Sequence, residues 1–375
     1  MSHKLPFDRV NWTTSAFLIS TAIISLTAVP VYLWNFGLNA FQVSLFLFYF
    51  AATGFSITLG YHRLFSHLAF KAKWPVKLAT LIFGAAAFEN STIDWVSDHR
   101  NHHKHVDHDD DPYDISKGFF HAHIGWLLFK LRPEPPLDNV ADLQRDPLVM
   151  WQHRWCHLIG LTVGFILPAV LGWIYGGPIQ ALGAFLLAGV LRVFFVQQMT
   201  FFINSLCHTI GRRPYSSACS ARDSGLMAIF TFGEGYHNYH HEFQHDYRNG
   251  VKPWQFDPTK WLIWTLSKIG LASNLRRVPD AKILMAEARE AQRLLSAHLD
   301  TPAHQLAERT RQMLQNSQDK LTELLQALSD RRDQAIRATE ARFESSKELI
   351  AELRREIQIA LERLENAGSM TPVPA

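Results

Sequence analysis

The sequence predicts an all-α integral membrane protein, with four transmembrane helices, a cytoplasmic helical cap holding a histidine-rich di-metal site, and a C-terminal coiled-coil-like helix. Three observations carry this. Long charge-free apolar runs fill the first two-thirds of the 375 residues and stop before the last ninety or so. The chain has 19 histidines, and most are clustered. The basic residues fall on one side of the apolar runs.

A bilayer core is crossed by about 20 consecutive apolar helical residues. Residues 1–12 precede the first such run. Residues 13–34 form the first span and residues 40–60 the second. A long uncharged stretch later in the chain is broken by Gly176-Gly177-Pro178, a turn signal. It yields a third span at 158–175 and a fourth at 179–201. Residues 76–88 are apolar but short, with Lys77 near the start and Glu89 at the end, and read as an interfacial or half-inserted helix.

The connections orient these spans. Residues 35–39 and 176–178 contain no Lys or Arg, whereas 62–157 contains 11. Cytoplasmic loops carry the basic excess. That segment, both termini and all the chemistry are therefore expected on the cytoplasmic side. Arg192, about two-thirds along the fourth span, either pairs inside the protein or reaches the interface. A net charge of +3 gives no footprint for nucleic acid, and the three cysteines (Cys156, Cys207, Cys219) form neither a disulfide framework nor a thiolate metal motif.

Three histidine clusters fall in the cytoplasmic parts: His62 with His67, then His99, His102 and His103, then His237, His240 and His241. His208, after the fourth span, is a ninth candidate. The spacing i, i+3, i+4 puts each later trio on one helix face. His62 and His67 would diverge by about 140° on an ideal α-helix, so they either flank one site from a helix end or bind different ions. Neutral imidazole is the commonest metal ligand, and eight or nine exceed the needs of one ion. Two ions with nitrogen ligands at the mouth of membrane helices point to redox chemistry on a lipid. Iron is favoured over zinc, since attack on an inert C–H bond needs O2 activation. The acidic run at 107–111 lacks calcium-loop spacing and reads as a solvated loop.

GYHRLFSH (60–67), DHRNHH (98–103), GFFHAHIGWLL (118–128), NSLCH (204–208) and GEGYHNYHHEF (233–243) resemble segments of the acyl-CoA desaturase family, of the Δ9 stearoyl-CoA type. The likeness runs from about residue 60 to 247. It implies that His62, His67, His99, His102, His103, His208, His237, His240 and His241 hold two iron ions, with Asn204 acting through a bound water. It also implies that Trp95, Asp98 and Asn90 lie beside ligands or substrate. Asp98 is the expected carboxylate partner of a ligating imidazole. One departure is Ser97, where animal members carry an arginine that contacts CoA.

The resemblance further implies a long saturated acyl chain as substrate, carried as acyl-CoA or as phospholipid, and O2 as oxidant. No heme, flavin or iron–sulfur motif is present, so an external donor of cytochrome b5, ferredoxin or rubredoxin type is expected. The likeness to bacterial-type members implies an inner membrane. The rival readings are a di-iron membrane hydroxylase, which shares the first hydrogen abstraction, and a metal transporter, which would need ionisable groups within the spans.

After about residue 279 the chain becomes charged and rich in Ala and Leu; residues 280–375 are read as a helical extension. Ile336, Phe343, Ile350, Ile357 and Leu364 recur every seven residues, as do Leu314, Leu321, Leu328 and Ala335 in an earlier register. This stripe suggests self-association or donor docking.

Overall fold

The structure, a computed structural model, describes residues 7–131 and 137–299 and short stretches between 315 and 362. It divides into two compact units: Met1–Arg212 with Cys219–Arg277, and Arg213–Ala218 with Val278–Ala375.

Four helices of the first unit are long and apolar enough to cross a membrane, and the chain is an integral membrane protein: α1 (Trp12–Phe36), α2 (Ala40–Ser66), α5 (Pro147–Gly176) and α6 (Pro178–His208). Local sequence sets their ends. Asn11 caps α1 through Thr14 N, and Gly37, at φ +70°, ends it. Asn39 and Gln42 form a capping box at the start of α2, satisfying two orphan donors reciprocally. Gly177, at φ +78°, turns α5 into α6, which starts on Pro178. The two helical pairs are locked at this end by polar groups. Gln42 Nε2 donates to Tyr32 Oη (2.7 Å) and Gln180 Oε1 (3.0 Å). Tyr32 Oη in turn donates to Ile179 O (3.1 Å).

The helices overrun the spans predicted from hydropathy. α2 continues to Ser66, α5 begins at Pro147 and α6 reaches His208. Hydropathy sees only the apolar turns, while the same helices run on as polar stems that carry histidines. Between α2 and α5 lie α3 (Trp74–Ala85) and α4 (Thr92–His105). With 12 residues, α3 is about 18 Å long and too short to span.

Arg192 is fully buried. Its guanidinium donates to Ala86 O just past α3 (2.5 Å) and to Gly164 O (3.0 Å) within a π-helical stretch of α5, while Nε donates to Ala188 O (3.0 Å). The charge thus pairs inside the protein, with orphan carbonyls and not with a carboxylate. Such carbonyls, left free by a helix end or a π-turn, would otherwise be unsatisfied.

Further short helices in this unit include α7 (Gly225–Phe230), α8 (His237–Glu242) and α9 (Pro258–Lys268), and the unit holds one ribbon absent from the all-α expectation. Its strands β1 (Lys71–Ala72) and β2 (Ala272–Ser273) pair antiparallel, Lys71 opposite Ser273. Two residues per strand are too few to show a period-two pattern. One core cluster joins Tyr61, Leu64, Leu81, Ile93, Val96 and Ile263.

In the second unit α10 (Asp280–Leu299) buries Ile283, Leu284, Met285 and Ala288, and the cluster includes Leu324 and Ile357. Apart from Ile357, the heptad positions of the coiled-coil reading lie outside the described residues.

Candidate metal centre

Helix geometry gathers the histidines. His62 and His67 are not splayed as on an α-helix. Residues Ser56–Ser66 are wound as a π-helix, and His67 N donates to His62 O, five residues back, at 3.1 Å. In a π-helix this i→i+5 bond closes each turn. The two rings therefore meet, with centroids 4.8 Å apart. The 140° divergence expected above is overturned by this local rewinding.

The nine histidines form two groups: His62, His67, His99, His103 and His240 in one, and His102, His208, His237 and His241 in the other. Each HxxHH segment is shared. α4 gives its i, i+4 pair, His99 and His103, to the five-membered group and His102 to the other. α8 does the reverse, giving His237 and His241 to the four-membered group and His240 to the five. The groups touch where His103 stacks on His241, with centroids 4.4 Å apart at 18°.

The ring nitrogens face inward in pairs. Nε2–Nε2 distances are 3.0 Å for His62–His240, 2.8 Å for His67–His99 and 2.9 Å for His240–His103. In the second group they are 3.2 Å for His102–His241, 3.1 Å for His237–His208 and 3.1 Å for His241–His237.

The outward nitrogens of four of these rings face carboxylates or hydroxyls. His62 Nδ1 lies 2.8 Å from Glu234 Oε2, and His102 Nδ1 lies 2.9 Å from both oxygens of Asp111. His99 Nδ1 lies 3.3 Å from Tyr113 Oη, and His208 Nδ1 lies 2.7 Å from Ser220 Oγ. A neutral imidazole has one N–H. Where it is given to a carboxylate at Nδ1, Nε2 points inward as a bare lone pair. Lone pairs about 3 Å apart repel unless a cation lies between them. That separation is roughly the edge of an octahedron with metal–nitrogen bonds of about 2.0–2.1 Å. The donor set therefore fits one metal ion per group.

Electrostatics agree. Burial first, then neighbouring imidazoles, hold His67, His99, His103, His237, His240 and His241 well below the usual histidine range. All six are neutral at pH 7, the form that binds metal. Burial alone would raise the Asp111 carboxyl, but the hydrogen bonds from His102, Tyr113 N and Asp107 N hold it below the carboxylate range. Glu234 is likewise held low against burial, by Arg63 and His62. Behind Glu234, buried Arg63 bridges to Asp257, with Nη2 at 2.8 Å from Glu234 Oε1 and 3.0 Å from Asp257 Oδ1.

A largely apolar cavity opens beside both groups. Phe17 and Leu18 of α1, Phe50 and Ile57 of α2 and Val196 of α6 line it, together with His62, His99, His102 and His237. Trp95, Asp98, Asn90 and Asn204 also line it. Trp95 stacks on His99 with centroids 4.8 Å apart. Ser97 is turned away, fully buried, with Oγ donating to Asn139 Oδ1 at 2.9 Å. Glu89, on the cavity wall, accepts from Thr200 Oγ1 (2.8 Å) and Trp95 Nε1 (3.3 Å).

Several of these residues escaped the sequence reading. Glu234 sits three residues before His237, inside a segment already singled out, yet nothing local marks it as the partner of His62, 172 positions away. Asp111 is not part of a solvated loop, as its acidic neighbours suggest, but is buried against His102. Asp109 and Asp110 are exposed, but Asp111 is 1% exposed and clamps His102. A single buried carboxylate in an acidic run leaves no compositional trace. Among the remaining histidines, His245 Nδ1 lies 2.9 Å from His67 O, and His123 bridges Ser205 and Gln198.

A family model described as fatty acid desaturase matches residues 40–268. The chain is 40% identical over 293 residues to a probable acyl-CoA desaturase of Schizosaccharomyces pombe, covering 77% of this chain and 61% of that protein. It is 38% identical over 299 residues to acyl-CoA desaturase 1 of Saccharomyces cerevisiae, covering 78% and 58%. With the stearoyl-CoA desaturase of Homo sapiens the identity is 35% over 290 residues, covering 76% and 78%. The chain spans about three-fifths of the length of the two yeast proteins.

Proposed function

This chain belongs to the fatty acid desaturase family, and we propose on that premise that it inserts a cis double bond, at Δ9, into a long saturated acyl chain carried as acyl-CoA. The observation that carries this is the adjacency of two inward-facing imidazole groups and an apolar cavity. His62, His67, His99, His103 and His240 would hold one iron, and His102, His208, His237 and His241 the other, with Asn204 acting through a water. Iron bound there would supply O2 activation and hydrogen abstraction from unactivated carbon. In balance, two hydrogens from adjacent carbons, two electrons and two protons reduce one O2 to two waters.

The chain's own residues supply everything around that step. Phe17, Leu18, Phe50, Ile57 and Val196 exclude water and bind the tail by its apolar surface. All its CH2 groups are chemically alike, so the position of the bond is fixed by how far the tail runs before it passes His62, His99 and His237. Trp95, stacked on His99 and tied to Glu89, shapes the wall at that point. Electrons come from a separate donor protein of cytochrome b5, ferredoxin or rubredoxin type. The site and both termini face the cytoplasm, in a bacterial inner membrane.

One observation favours a second carrier. Among the described residues lining the cavity none is lysine or arginine, so the CoA phosphates would find their cations outside it. A chain esterified to phospholipid and presented from the bilayer needs no such cations. Expression in a host lacking unsaturated fatty acids, with lipid analysis by mass and bond position, tests the reaction. Loss of two hydrogens at one position supports it, and a gain of one oxygen would identify a hydroxylase. Parallel assays with acyl-CoA and with labelled phospholipid in vesicles decide the carrier.

A further inference from the structure

The two histidine groups are braced by different parts of the chain. In the five-membered group, His62 leans on Glu234 and His99 on Tyr113. In the four-membered group, the outward bonds of His102 and His208 lead to the acidic loop after α4. Asp111 accepts directly from His102 Nδ1 and also from Asp107 N (3.2 Å) and Tyr113 N (3.1 Å). Asp107, at the other end of the loop, works through a hydroxyl. Its carboxylate accepts from Ser220 N (2.6 Å) and from Ser220 Oγ (2.5 Å), and Ser220 Oγ lies 2.7 Å from His208 Nδ1.

A serine hydroxyl has one proton. Given to the Asp107 carboxylate, it leaves Oγ only lone pairs for His208, so His208 must donate from Nδ1. Its Nε2 is then bare and faces His237 Nε2. We propose that the 107–111 loop, through Asp111 on His102 and through the Asp107–Ser220 relay on His208, is the positioning device of the four-histidine group. It sets the tautomer and orientation of two of its four imidazoles. Asp107, Ser220 and Asp111 are positioning residues, and the inference rests on the two-metal reading above.

The test is metal content and metal affinity of the purified full-length chain. Ser220→Ala removes the relay hydroxyl and leaves the Asp107 backbone contact. It is expected to retain one iron firmly and to bind the other roughly 10- to 100-fold more weakly. Ser220→Thr, which keeps the hydroxyl, is expected to restore both. The melting temperature of the metal-free variant should match that of the metal-free wild type. Wild-type protein holding no metal would overturn the metal reading itself. Wild type and Ser220→Ala both holding two irons at equal affinity would overturn the relay alone. So would equal loss at both sites, or failure of Ser220→Thr to rescue.

Discussion

The rings of His62 and His67, five residues apart, meet with centroids 4.8 Å apart because the end of α2 is wound with five-residue hydrogen bonds. This winding places the first histidine cluster on the same centre as the two HxxHH segments. It also brings α2 close to α3. A Cβ at Gly60 would lie 2.6 Å from Thr80 Cβ, nearer than real contacts allow.

Gly60→Ala should therefore force α2 and α3 apart. Overpacking of this kind costs about 1–3 kcal/mol, visible as a lowered melting temperature of the purified protein. An unchanged melting temperature together with full metal content would show that this approach has slack.

Glu89 sets a pH dependence. Burial pushes its carboxyl up to about 8, against the lowering hydrogen bonds from Thr200 and Trp95. It is neutral at pH 7, while in the unfolded chain it ionises near 4.3. The stability it contributes is complete below that value and is lost as pH rises through about 8. Glu89→Gln, a neutral isostere, should match wild-type turnover at pH 7 and keep it above pH 8, where the wild type declines. Identical profiles for the two proteins would contradict this.

Asp257 anchors the buried guanidinium of Arg63, and both side chains are at most 1% exposed. Asp257→Ala leaves that cation with Glu234 as its remaining carboxylate. Breaking a buried pair typically costs about 3–5 kcal/mol. Denaturation of the metal-free protein should show a loss on that scale, and a shift under about 1 kcal/mol would mean that Glu234 suffices.

Much of this was legible in the amino-acid order. Apolar runs announced the four spans, and clustered imidazoles announced the centre. What stayed hidden depends on winding and on distance along the chain. A π-helix has the same residues as an α-helix, so His62 and His67 looked splayed. Asp111 looked solvated because its neighbours are. Glu234 and Asp107 act on residues more than a hundred positions away. Arg192 looked anomalous in a span because its partners, Ala86 O and Gly164 O, are backbone atoms that no pattern of side chains displays.

Iron K-edge X-ray absorption on active full-length protein, with iron quantified per chain, tests the central claim most directly. Two irons per chain, each surrounded by nitrogen with the outer-shell scattering of imidazole rings, is the predicted result. Active protein without iron, or with iron bound mainly by sulfur or carboxylate, would contradict it.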